Sequence, residues 1–192
     1  MKLARIMKAL RGTALSIVNG EDGFQWVGDG TAYYLVDQTL DLTEDNLLSV
    51  MDIDEKKRKK YTVRTIEGQR TPMIDICPQE GCDQALNPLL SASWAGELVT
   101  IMTSETGEAA AVLQSQIAPA DGDEPLQFCL RRSIDRDTAE ERQPVVAVFR
   151  DMLCCAVIMP VQARTMTEIW RMMRMASDGG LRYCVGEEED HT

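Results

Sequence analysis

Two short apolar runs at 145–149 and 153–161 flank a polar break at Arg150-Asp151, within the stretch PVVAVFRDMLCCAVIMPV. Runs this short, rich in β-branched residues and split by a charged pair, predict a buried β-hairpin. The second run ends in Ile158-Met159-Pro160. Proline brings no N–H to a ladder, so the strand stops there or lies at an edge. The period changes at the start of the chain. Leu3, Ile6, Met7 and Leu10 follow the i, i+3, i+4, i+7 pattern of an amphipathic helix over 2–11, with Gly12 as its stop. Lys2, Arg5, Lys8 and Arg11 then fall on the outer surface of that helix. Such a surface is either a solvated face or a small phosphate-facing patch.

Alternation and turn residues place a meander next, with strands over 14–18, 24–27 and 31–36. Its turns lie at Asn19-Gly20 and at Gly28-Asp29-Gly30. Gly28-Asp29-Gly30 lacks the third glycine of a phosphate loop and sits between strands, so it reads as a turn. Thr43 predicts an N-cap for a helix over 44–51 with two acids in its first turn. The charge run 54–60, DEKKRKK, reads as a solvated turn, and 61–66 as a strand. Residues 67–90 read as irregular, broken by Pro72, Pro78 and Pro88. Further strands are expected over 91–94, 98–103, 109–113 and 126–132, with a loop over 118–125. A last helix begins at the capping box Thr165-Met166-Thr167-Glu168 and carries Met166, Ile169, Trp170 and Met173 on one stripe. Gly179-Gly180 ends it before an acidic tail. These elements together predict an α+β protein of antiparallel sheets with a few helices. Residues 1–164 form the main domain, and 165–192 a C-terminal helix and tail.

Composition changes this picture in three places. The chain has 192 residues, 44% of them hydrophobic and 27% charged, which suits a soluble globular protein that needs no covalent staple. No apolar run reaches the ~20 residues that span a bilayer, and MKLARIMKALRG is too interrupted by charge for a signal peptide. A cytoplasmic location is the expectation, with no membrane partner and with six reduced thiols: Cys77, Cys82, Cys129, Cys154, Cys155 and Cys184. Of the adjacent pair, one of Cys154 and Cys155 fills core and its neighbour points outward. Cys77 and Cys82 lack a second ligand pair, so neither metal nor cofactor is expected. His191 is the only histidine, which leaves no Ser-His or Cys-His nucleophile pair and points to a non-enzymatic protein. The net charge of −11 opposes indiscriminate binding to nucleic acid but leaves room for a local basic face.

Two sets of segments resemble a domain of the bacterial DNA polymerase sliding clamp, the processivity factor. The first is LARIMKAL at 3–10 followed by the meander at 23–36. The second is LQFCL at 126–130, then PVVAV at 144–148, then AVIMPV at 156–161. The chain also resembles small uncharacterised proteins of bacterial mobile elements and prophages, especially across 25–63. The clamp resemblance implies a clamp-like fold acting in DNA metabolism. It implies that Lys2, Arg5, Lys8 and Arg11 face duplex phosphate. It also implies that Met159, Pro160 and Val161 line a groove for a partner peptide. A clamp protomer has two or three such domains, so a ring built from this chain requires homo-oligomerisation. Two readings follow. One is a DNA-associated clamp relative using the basic helix. The other is an adaptor that binds only protein through a methionine-rich apolar surface.

Overall fold

The computed structural model describes residues 3–20, 23–67, 83–94, 96–132 and 143–161. The chain divides into two compact units, Met1–Pro160 and Val161–Thr192. The expected helix over 165–180 lies outside the described residues.

Among the described residues the elements run α1 (Leu3–Ala9), β1 (Ala14–Asn19), β2 (Gln25–Gly28), β3 (Ala32–Leu35), α2 (Leu47–Val50), α3 (Glu55–Arg58), β4 (Thr62–Glu67) and β5 (Asp83–Trp94). Then follow β6 (Glu97–Thr103), β7 (Ala109–Leu113), α4 (Gln114–Ile117), a 3-10 turn at Ala118–Ala120, β8 (Gln127–Arg131), β9 (Val145–Arg150) and β10 (Leu153–Ile158). The ten strands lie in the order β4-β1-β2-β3-β10-β9-β8-β5-β6-β7. The protein is therefore of the α+β class.

The hairpin at 145–158 forms as its pattern predicts. Asp151 and Met152 both take positive φ, 48° and 64°, the backbone of a tight two-residue turn matched to the strand twist. The first meander also forms. A Cβ on Gly28 would stand 2.3 Å from the Ala32 carbonyl oxygen and from the Tyr33 ring, so only glycine admits this approach.

Five expectations are corrected. The sheet is mixed: β4 runs parallel to β1, with Thr62 opposite Ala14 and Ile66 opposite Val18. The stretch 83–90 is not irregular but forms the first two-thirds of β5. Pro88 is tolerated because β5 changes partner beside it, pairing with β8 over 83–86 and with β6 from Asn87 onward, with a register shift at Pro88/Leu90. The expected helix over 44–51 shrinks to Leu47–Val50. Thr43 and Asn46 exchange hydrogen bonds, Thr43 N–H to Asn46 Oδ1 at 2.8 Å and Asn46 N–H to Thr43 Oγ1 at 3.3 Å, which fixes 43–46 as a turn. The expected loop over 118–125 begins with a 3-10 turn, preceded by α4. Finally, Cys154 and Cys155 are both buried, because they enter different core clusters, Cys154 the one with Trp26 and Phe149 and Cys155 the one with Tyr34 and Val148, so the neighbour that points the other way does not reach solvent.

The sheet buries apolar side chains on both faces. One cluster joins Leu15, Ile17, Val27, Tyr34, Val146, Val148 and Ile158 to Ile6, Ala9 and Leu10 of the α1 segment and to Leu47 and Ile117 of the later helices. Leu3 and Met7 pack on its margin, as the spacing of α1 predicts. Burying a side chain such as Ile6 contributes ~1.5–3 kcal/mol. The other cluster holds Val18, Trp26, Leu35, Val145, Ala147, Phe149, Cys154 and Val157.

Candidate functional site

α1 sets its basic side chains by helical spacing, and the sequence-predicted phosphate face can be followed residue by residue. Lys2 lies outside the described residues. Arg5 is exposed, and its Nη1 donates to the Asp121 main-chain oxygen at 3.4 Å. Arg11 forms an ion pair with Glu97, at the turn between β5 and β6. Lys8 and Arg11 line an open groove of about 830 Å³ together with Glu97, Leu98, Gln114 and Asp121. The groove is thus brought together as a concavity, but carboxylates of the same chain share its walls with the two cations.

The end of α1 is anchored by Asp29 of the Gly28-Asp29-Gly30 turn. Its Oδ2 accepts the Arg11 N–H at 2.7 Å and the Gly12 N–H at 2.8 Å. Its Oδ1 accepts the Thr31 N–H at 2.9 Å and the Thr31 hydroxyl at 2.7 Å. Burial pushes this carboxyl up, but these donors outweigh it and hold its pKa below the ordinary value. Sequence reading took Asp29 only as a turn residue. The signal for more was the Asp-x-Thr spacing of a side-chain-closed turn.

The second predicted site lies at the end of β10. Met159, Pro160 and Val161 are each half-buried. The Met159 N–H donates to the Thr31 carbonyl oxygen at 2.8 Å, and the Met159 side chain packs on the cluster around Trp26 and Phe149.

A further basic surface begins at α3. Asp54 caps this turn by accepting the Lys56 N–H at 2.8 Å. Lys56, Lys57, Lys59 and Lys60 are exposed, and none of them lies within ion-pair distance of a carboxylate among the described residues. The chain passes from these lysines into β4, which among the described residues is the terminal strand of the sheet. The Thr62 N–H faces inward, to the Thr13 carbonyl oxygen. Alternation turns the Thr65 N–H outward, and there the Glu44 Oε1 accepts it at 2.6 Å. Arg64, exposed on the same strand, donates from Nε to Ser16 Oγ at 3.2 Å.

Charge is also enclosed. Arg131 is fully buried, and its Nε and Nη2 donate to Asp83 Oδ1 and Oδ2 at 2.7 and 2.8 Å. Its guanidinium carbon lies 5.5 Å from the Phe149 ring centre. The two partners are 48 positions apart, so no local pattern signals the pair. Burial pushes the thiols of Cys129, Cys154 and Cys155 up, that of Cys154 to about 12, which keeps them protonated and unreactive at neutral pH. All three are unbridged. Among the described residues no three His, Cys, Asp or Glu side chains converge as metal ligands, and no helix is long and apolar enough to cross a membrane.

Fold and site together define a mixed-sheet α+β protein whose described surface offers grooves and charged edges. The chain matches no protein-family model, no curated protein and no solved structure.

Proposed function

We propose that the protein is a non-enzymatic interaction module of clamp-like organisation, from a phage or mobile element, that serves DNA metabolism by holding a protein partner. The observation that carries this reading is the internal engagement of the α1 cations. Arg11 is paired with Glu97, Arg5 is bonded to the Asp121 carbonyl oxygen, and Lys8 shares its groove with Asp121. Duplex phosphate would have to displace these partners and also approach a chain of net charge −11. A short peptide docking away from α1 displaces none of these pairs and carries far less charge than a duplex. The high thiol pKa values support a binding role over thiolate chemistry. Supporting the clamp-like organisation are the segments 3–10, 23–36, 126–130, 144–148 and 156–161, which follow one another as helix, meander and closing strands.

Titration of a fluorescent DNA duplex at low salt tests the choice of partner. No binding is expected up to micromolar protein. The contrary result is tight, sequence-independent binding with a log–log salt slope of about −3.6, the value for four neutralised phosphates, abolished by Arg5→Glu with Lys8→Glu. That outcome would replace the protein partner with DNA.

A further inference from the structure

We infer that the outer edge of β4 is a docking site for an extended acidic peptide of a partner protein, which adds to the sheet as a new strand. This inference rests on the reading of the chain as a protein-binding module and names the surface and the chemistry of the partner.

Three observations carry it. First, among the described residues β4 is the terminal strand of the sheet, and one side of its backbone carries no further strand. An edge of this kind is a template for an added strand, with main-chain hydrogen bonds supplying affinity. Second, the outward Thr65 N–H is met by a carboxylate, Glu44 Oε1, at 2.6 Å. Glu44 stands where an incoming strand would present its own acceptor. It reaches there from a turn, not from a neighbouring strand, so a partner can displace it without disturbing the sheet. Third, the edge is basic. Lys56, Lys57, Lys59 and Lys60 lead into it, all exposed and unpaired among the described residues and outnumbering Asp54 and Glu55 before them, while the strand itself carries Arg64 and Glu67. Within a chain of net charge −11 this is a local reversal of sign. Charge complementarity selects an acidic occupant. It rejects a second copy of the same edge, because like charges on facing strands repel.

The probe is a short synthetic peptide alternating Glu with Val, titrated into the full chain and read by fluorescence anisotropy. Its competitors are the same peptide with alternate backbone nitrogens methylated and a single-stranded oligonucleotide of equal charge. Methylation leaves charge intact and removes ladder donors, so strand addition predicts about tenfold weaker binding or worse. Lys59→Glu with Lys60→Glu should weaken the unmethylated peptide by a similar factor. Thr65→Pro, whose fold is checked by circular dichroism, removes the outward N–H and should also weaken it. Glu44→Ala should strengthen it. Equal binding of methylated and unmethylated peptide would reduce the site to charge attraction and overturn the inference. So would an oligonucleotide that binds more tightly and ignores Thr65→Pro. No peptide binding at all would remove this edge as the site. The duplex titration above judges the module reading separately, because it reports on α1.

Discussion

The two basic stretches of this chain look alike in sequence and differ in what they can offer a partner. On α1 Arg5 is bonded to the Asp121 carbonyl oxygen, and just past its end Arg11 is paired with Glu97. Asp29 ties the end of that helix to the first meander through the Arg11 and Gly12 N–H groups. On α3 and the strand after it, four exposed lysines have no carboxylate partner among the described residues, and one exposed carboxylate, Glu44, meets one edge N–H. A run of lysines and arginines therefore says little about binding until the chain's own acids have been located. The α1 cations belong largely to the fold. The α3 lysines are left for something else.

This contrast can be broken at several points. The largest effect is expected where charge is wholly enclosed. Asp83→Ala removes the carboxylate to which the buried Arg131 donates twice and should cost about 4 kcal/mol in urea unfolding. Replacing both residues together by apolar ones of similar volume should recover much of that loss. If the single variant unfolds within 1 kcal/mol of the parent, enclosure is not what distinguishes these charges.

Next in size is Asp29→Ala, which strips acceptors from four backbone N–H groups, those of Arg11, Gly12, Thr31 and Ala32, and should cost about 3 kcal/mol. Glu44→Ala, losing one exposed acceptor, should cost about 1 kcal/mol or less. Equal losses at the two positions would erase the difference between a fold anchor and an edge cap. The pH dependence sharpens the same point. The folded Asp29 carboxyl lies below its ordinary 3.8, so its contribution is fully present above that value and is lost as pH falls through the folded value. The gap in stability between parent and Asp29→Asn should therefore narrow below about pH 4.

The smallest effects concern the exposed cations. Arg11→Glu, placed beside Glu97, should lose roughly 0.5–1 kcal/mol. Lys59→Glu should stay within about 0.5 kcal/mol of the parent, since nothing described is paired with it. Thermal unfolding of the two variants side by side reads this difference. A larger loss at Lys59 than at Arg11 would invert the comparison.

What could be read from sequence divides along physical lines. The 145–158 hairpin and the first meander were legible because period and turn chemistry are local. The parallel pairing of β4 with β1 was not, since strand direction here depends on a connection through α2 and α3 rather than on a tight turn. The first two-thirds of β5, 83–90, were hidden by Pro88 and by the exposure of residues such as Leu89, 54% accessible, which left no apolar alternation to see. The burial of both Cys154 and Cys155 depends on apolar cover over both faces of the sheet, which the local pattern of one strand does not reveal. At the candidate sites, the helical spacing put Lys8 and Arg11 on one helix over 2–11, whereas α1 ends at Ala9 and Arg11 stands just beyond it, the two lining one groove. It could not show that Glu97, the first residue of β6, would close on Arg11 from far along the chain. The α3 lysines read as a solvated turn. The strand edge beside them, which carries no further strand among the described residues, is a property of the sheet order and not of the local sequence.

The central claim is that β4, and not α1, is the surface left open to a partner. Amide hydrogen exchange followed residue by residue by NMR, with and without the acidic peptide, tests it most directly. The account predicts slowed exchange at Val63 and Thr65 on addition of peptide, with residues 3–11 unchanged. Protection appearing along 3–11 while Val63 and Thr65 exchange as before would contradict it.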